Sequence, residues 1–287
     1  MLEIPEANTL MRQLNKTVLG KEIINAIAGD SSHGFAWYSA DPATYGVMLN
    51  NKAIEKVACY GGRPELQTEN IILSFNDGVN IRYIEIGAKR PVKHQLLLEF
   101  ADGSAIVCTV QMYGGMLCYP RYAGERQMKQ LKISPEDFYY RAAKEKPSPL
   151  SDEFDEEYFA SLLTEKTRKL SAKAFLATEQ RIPGLGNGVL QDILWKAQIH
   201  PKRKMTTLSD IEQEGLYTIL KSLLAEMTEK SGRDTEKDLF GNPGGYITVM
   251  SKKNEGKGCP ICGGLIKRMA YLGGNVYVCE ECQRPAI

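Results

Sequence analysis

The C-terminal tail restricts the fold of this chain more than any other segment. It reads Cys259-Pro-Ile-Cys262, sixteen intervening residues, then Cys279-Glu-Glu-Cys282. Two residues between paired thiolates let one turn present both sulfurs to a single ion, and two such pairs complete a tetrahedral site. Gly273-Gly274-Asn275 suits a tight turn, and strand-forming residues flank it, Val276, Tyr277 and Val278 among them. The tail therefore reads as a two-stranded ribbon around one structural Zn²⁺ held by Cys259, Cys262, Cys279 and Cys282. The alternative is two disulfides, which suit an oxidising compartment. A hairpin this small has too little core to fold unaided, so metal binding and folding are coupled. Such a module does not by itself name a function. Cys59, Cys108 and Cys118 lie in apolar, strand-like surroundings and read as small core residues.

A chain of 287 residues is long enough for two domains with sizeable cores. It has no run of eighteen apolar residues, so no membrane span is expected. The first residues lack a basic region followed by an apolar one, so the expected location is cytoplasmic, nucleoid-associated in a bacterium. The formal net charge of +1 hides an uneven distribution. Residues 152–157 are acidic, whereas HPKRK at 200–204 and the stretch 252–268 are basic. A charge run is commonly a solvated face, but basic runs beside a metal module point toward nucleic acid.

The first half reads as strands, with candidates at Glu69–Phe75, Val79–Ile86, His94–Phe100 and Ala105–Gln111. Asn76-Asp77-Gly78 and Ala101-Asp102-Gly103-Ser104 read as hairpin turns between them. From Ser151 to Lys230 the period changes to a helical one. Tyr158, Phe159, Leu162 and Leu163 share a face, and Ser209-Asp-Ile-Glu212 is a capping box before Ile211, Leu216, Ile219, Leu220 and Leu223. Pro183-Gly-Leu-Gly-Asn-Gly188 cannot be mid-helix and reads as a tight turn entering a helix over Val189–Ala197. A glycine-rich turn at a helix N-terminus exposes N–H groups to an anion. The bland reading is a plain helix–helix turn; Lys173 upstream and HPKRK downstream favour an anion site.

At this point the chain resembles a known family. GLGNGVLQDILWKAQIHP is similar to the helix–two-turn–helix element of the formamidopyrimidine-DNA glycosylase and endonuclease VIII family. SGRDTEKDLFGNPGGYITVMSKKNEGKGCPIC and VYVCEECQ resemble the run into that family's zinc finger and its last strand. MLEIPEANTLMRQL resembles its N-terminus, Met-Pro-Glu-x-Pro-Glu. Residues 24–150 match in length and strand character only.

The resemblance implies an α+β multi-domain fold. Residues 1–122 would form an N-terminal helix plus β-sandwich, 123–150 a linker, 151–250 the helix–two-turn–helix domain and loop, and 251–287 the Cys₄ zinc finger. It implies a monomeric DNA repair glycosylase that flips a damaged nucleotide out of the duplex. In the family the N-terminal proline amine attacks C1′ and the next glutamate assists. Glu3 then matches the acid, and Glu6 the first turn of the supporting helix, whose buried face would be Leu10, Met11, Leu14 and Val18. An α-amino group is a usable nucleophile because its pKa lies near 8. Leu2 departs from the pattern: it retains Met1 and moves a primary amine one residue outward, so lyase activity is expected to be weak or absent. The residues implied to contact DNA are Lys173, Gly186, Asn187, Gly188, His200 and Tyr246. Arg63 would serve in place of a lysine expected at Gly62, and Asn275 stands where the family has a hairpin-tip arginine. Met112 and Tyr113 are candidate wedges for the void left by a flipped base. A non-catalytic abasic-site binding protein is the alternative.

Overall fold

The computed structural model describes residues 2–122, 124–130 and 137–284; Met1 lies outside them. The first helix, Ile4–Thr17, begins with Pro5 in its first turn, where a missing N–H costs nothing and Glu6 meets the positive end of the helix dipole. It stops at Val18, whose N–H donates to Leu14, and Gly20 follows at φ +80°. Leu10, Leu14 and Val18 enter the core of the sandwich together with Leu2. Ile4, on the other side, enters the core of the helical module. The helix thus joins the two halves, and its first residues lie at their junction.

The sandwich has two five-stranded sheets. One runs in the order Lys52–Ala53, Glu22–Ala28, Leu96–Phe100, Ala105–Val110, Val79–Ile84. The other runs Ala36–Trp37, Gly114–Pro120, Ile71–Phe75, Arg63–Gln67, Lys56–Tyr60. Phe75, Phe100, Ile81, Leu98, Ile106 and Met116 fill the space between, with Cys108 and Cys118; Cys59 is only half-buried. Ala101–Ser104 is a hairpin turn as expected, pairing Leu97 with Val107 and Glu99 with Ala105. Asn76-Asp77-Gly78 is not. Ile71–Phe75 pairs with Gly114–Pro120, while Val79–Ile84 pairs with Ala105–Val110. The turn therefore crosses between sheets, and Asn76 fixes it there by donating its backbone N–H to the Gly115 carbonyl and accepting the Gly115 N–H on its side chain.

The helical module contains Glu156–Ser161, Glu165–Arg168, Ala172–Ala177, Asn187–Lys196 and Asp210–Glu229. The capping box at Ser209 and Glu212 forms. Leu216, Leu220 and Leu223 are buried, but Ile211 is 81 % exposed. It precedes Leu216 by five residues, roughly 140° around the helix, and so misses that stripe. The ribbon pairs Ile266–Tyr271 with Gly274–Cys279. Its turn is Leu272-Gly273, both at positive φ, one residue earlier than expected, so Gly274 opens the second strand. The ribbon docks on the helix Asn187–Lys196: Tyr277 donates its N–H to the Gln191 side chain, and Trp195 joins Ile266 and Met250 in a small core. Among the described residues no helix is long and apolar enough to cross a membrane.

Candidate active site and nucleic-acid interface

The anion site expected at the glycine-rich turn exists, and the chain supplies its own anion. Glu3 is buried, and its two carboxylate oxygens accept the N–H groups of Gly188 and Val189, each at 2.8 Å, at the start of the helix Asn187–Lys196. A Cβ at Gly186 would lie 2.6 Å from the Glu3 carboxyl carbon, and one at Gly188 would meet both Glu3 and the Arg233 guanidinium. These glycines leave room for Glu3, and the Gly188 N–H that was assigned to a phosphate is committed to that carboxylate. Ile4 donates its N–H to the Gly184 carbonyl at 3.1 Å and fixes the register of the N-terminal segment on the turn.

Glu6 and Arg233 complete the support. Arg233, also buried, donates to Glu6 through its backbone N–H (3.0 Å), Nε (3.0 Å) and Nη2 (2.9 Å). Its Nη1 lies 3.6 Å from Glu3 Oε1. Burial pushes the Glu3 carboxyl above its ordinary value, Glu6 adds to the rise, and Arg233 with the two backbone donors holds it back. For Arg233, burial alone would weaken its hold on the proton, but the two carboxylates more than offset that and raise its pKa. Glu6 is a positioning residue, set back behind Glu3. Arg233 was not singled out by the sequence; the signal was one arginine in SGRDTEKD and two N-terminal glutamates in need of a counter-charge.

Glu3 lines a cleft of about 550 Å³ between the halves. Opposite lie Asp77, on the turn that crosses between the sheets, and the rings of Trp37, Tyr60, Tyr113 and Tyr139. Burial, and then Glu3, lifts the Asp77 carboxyl to about 6. Asp77 was read only as part of a turn, since nothing local shows that the turn faces a cleft. Arg63 reaches the cleft, but its Nη1 is held by Asp137 at 2.6 Å and its guanidinium lies over Tyr140. Gly62, where a lysine was expected, faces a filled space: a Cβ there would lie 2.8 Å from the Leu2 carbonyl oxygen. At Gly184, φ +78°, a Cβ would run into the backbone of Gly61 and Gly62. The two halves therefore meet backbone to backbone beside Glu3. Leu2 is buried and also lines the cleft. Tyr113 stacks obliquely toward Trp37, ring centroids 6.0 Å apart, while Met112 is 74 % exposed.

A second cluster joins the glycine-rich turn to the ribbon. Asn187 donates its side-chain N–H to the Asn275 carbonyl at 2.9 Å. The Lys173 ammonium donates to the Tyr271 carbonyl at 2.6 Å, and Lys202 lies over the Tyr271 ring. Burial lowers the Lys173 pKa. The structure thus brings Lys173, Asn187 and Asn275 together at the hairpin. His200 and Tyr246 do not join them. His200 is buried, and its Nδ1 accepts the Lys202 N–H, closing the His-Pro turn. Tyr246 is buried in the module's core, where Asp192 accepts a hydrogen bond from its hydroxyl. Neither offers an exposed face for DNA.

The four tail cysteines converge as expected. Their sulfurs all lie within 4.8 Å of one another, with 3.3 Å between Cys262 and Cys279 and 3.8 Å between Cys259 and Cys282. These separations exceed an S–S bond and approach the roughly 3.8 Å edge of a tetrahedron with Zn–S near 2.3 Å. All four cysteines are free, so the disulfide alternative fails and the set could hold one metal ion.

Residues 146–237 match the family model described as the formamidopyrimidine-DNA glycosylase H2TH domain. The formamidopyrimidine-DNA glycosylase of Streptococcus pneumoniae serotype 4 is 27 % identical over 296 residues, covering 99 % of each chain. That of Cytobacillus firmus is 25 % identical, covering 99 % of this chain and all of the other. Over nearly its whole length the chain is similar to formamidopyrimidine-DNA glycosylases, and residues 146–237 match their H2TH domain. In fold it is similar to Lactococcus lactis Fpg solved with DNA containing an abasic site, with a TM-score of 0.77 at 21 % identity and coverage of 99 % and 100 % of the two chains. A Lactococcus lactis Fpg mutant solved with Fapy-dG containing DNA gives a TM-score of 0.78 at 22 % identity. Within the formamidopyrimidine-DNA glycosylase fold, the helix–two-turn–helix supplies the N-terminus that binds Glu3, and the Cys₄ ribbon covers its flank.

Proposed function

We propose that this chain is a DNA N-glycosylase of base excision repair, acting as a monomer on duplex DNA with a weak lyase step or none. The observation that carries the reading is Glu3: a buried carboxylate, fixed by a helix N-terminus, at the wall of an inter-domain cleft large enough for a base. A damaged nucleotide turned out of the stack enters the cleft. Water attacks C1′, the C1′–N bond breaks with its electron pair passing to the base, and Glu3 accepts the proton of the attacking water. Burial raises the basicity of Glu3, which favours that transfer. Lys173, Asn187 and Asn275 hold the backbone at the hairpin, and Zn²⁺ in the Cys₄ site keeps the hairpin in place. The metal takes no part in the chemistry.

A second reading, binding of abasic or distorted DNA without cleavage, is favoured by Leu2 and by the filled space at Gly62. Single-turnover incubation with duplexes carrying 8-oxoguanine, a formamidopyrimidine or an N-alkylated purine, with and without borohydride, separates the two. Base release without a trapped adduct is the expected result. A trapped adduct would return the amine to the mechanism. Tight abasic-site binding with no base released from any duplex would establish the second reading.

A further inference from the structure

We infer that the cleft selects a cationic base, of the class of N7- or N3-alkylated purines, over a neutral oxidised one; this deepens the glycosylase reading above and rests on it. The first observation is charge. Three carboxylates line the cleft: Glu3, Asp77 and Asp137. Arg63 is the cation among the described lining residues, and its guanidinium is committed to Asp137. The lysine position next to it is Gly62, and the Leu2 carbonyl occupies the space where a side chain would begin. A lining that holds three acids against one basic side chain, itself paired with Asp137, disfavours an anionic leaving group and attracts a positive ring. Burial and then Glu3 lift the Asp77 carboxyl to about 6 while the chain's N-terminal charge and Arg63 oppose that rise, and a cation placed against Asp77 would favour its ionised form.

The second observation is aromatic. Trp37 and Tyr113 form a tilted ring pair on one wall, and Tyr60 and Tyr139 stand among the other lining residues. Ring faces attract a cationic heterocycle beyond ordinary stacking. Trp37 is half exposed, so its ring is available to a ligand.

The third is chemical economy. A neutral base leaves as an anion unless something protonates it. An N7-alkylated guanine carries its positive charge already. When its C1′–N bond breaks, the electron pair returns to the ring and the base departs neutral. Water forms the new C1′–O bond and gives its proton to Glu3. No acid and no amine nucleophile are needed, which fits a chain with Leu2 where the family has its proline. Asp77 is a catalytic residue in this scheme: its carboxylate lies against the cationic ring and positions it.

The test compares single-turnover release, by mass spectrometry, of N7-methylguanine and of 8-oxoguanine from otherwise identical duplexes. The expected result is N7-methylguanine release at least about tenfold faster above the spontaneous rate, the factor that about 1.4 kcal/mol of charge selection gives. Asp77→Asn should remove that preference, and Trp37→Leu, at a half-exposed position, should reduce it without unfolding the chain. Faster release of 8-oxoguanine would overturn the inference and leave the glycosylase reading standing. Release of neither base would overturn both. A preference unchanged in both Asp77→Asn and Trp37→Leu would refute the assignment of selection to this cleft.

Discussion

Replacing Arg233 by methionine should expose how the N-terminal segment is held. Methionine keeps much of the apolar volume and removes the guanidinium. Glu6 then loses the donors at 3.0 and 2.9 Å and keeps only the backbone N–H of residue 233. Glu3 loses the charge 3.6 Å away and keeps Gly188 and Val189. Removing one partner of a buried ion pair costs about 3–5 kcal/mol. The surviving backbone donors place this case at the lower end, about 3 kcal/mol, which at roughly 2–4 °C per kcal/mol lowers Tm by about 6–12 °C. The pH dependence has a definite sign. Burial already raises the Glu3 carboxyl in the folded state, and Arg233 opposes that rise. Without Arg233 the rise is larger, so the folded state gains on the unfolded one as pH falls through the Glu3 pKa. Scanning calorimetry of both proteins from pH 8 to pH 5 should therefore show the gap narrowing. Adding Glu6→Gln to the variant should return on the order of 1 kcal/mol by removing one stranded charge. A loss below about 1 kcal/mol, or a gap that widens on acidification, would refute the coupling of Glu3, Glu6 and Arg233.

Cys279→Ser should abolish stoichiometric zinc and weaken duplex binding while the sandwich keeps its fold, as read by metal analysis, fluorescence anisotropy and near-ultraviolet circular dichroism; a metal-free protein with full affinity would contradict it. Lys173→Ala should weaken binding to every duplex alike and flatten the salt slope by about one unit; an effect that depends on base sequence would exclude a backbone role. Gly184→Ala should destabilise by more than about 2 kcal/mol in denaturant unfolding, because φ is +78° and the new Cβ meets the Gly61–Gly62 backbone; a neutral outcome would mean that the two halves do not meet there.

Local patterns in the sequence foretold those elements whose determinants are local. The Cys₄ spacing, the Ser209–Glu212 box and the Ala101–Ser104 hairpin each depend on residues a few positions apart, and each is present. The strands Glu22–Ala28, Arg63–Gln67 and Gly114–Pro120 were not anticipated. Glu22–Ala28 and Gly114–Pro120 pair with strands distant in sequence, and Pro64, Gly114 and Gly115 weaken the local strand signal. The turn at Asn76–Gly78 has hairpin chemistry, but its flanking strands find longer partners in different sheets. The glycine-rich turn was recognised as an anion site, and the identity of its anion was not, because that requires knowing that residue 3 returns to residue 188. Asp77 and Arg233 belong to the same class: each has its role only through contacts far away in the chain. His200 and Tyr246 show the opposite failure, since a residue inside a recognised motif can serve the motif's own packing.

Glu3 carries the functional account, and Glu3→Gln tests it most directly. Both Glu3 oxygens accept backbone N–H groups, so the amide of glutamine will face one of those donors and cost on the order of 1–2 kcal/mol of stability. Rates should therefore be compared well below the melting temperature, with affinity for an abasic-site duplex as the check on fold. Under single-turnover conditions, on whichever lesion the parent protein processes fastest, base release by Glu3→Gln is expected to fall by roughly 10²-fold or more while abasic-site affinity is kept. Release within about threefold of the parent rate, about 0.7 kcal/mol of barrier, would contradict the assignment of Glu3 as the group that takes the proton.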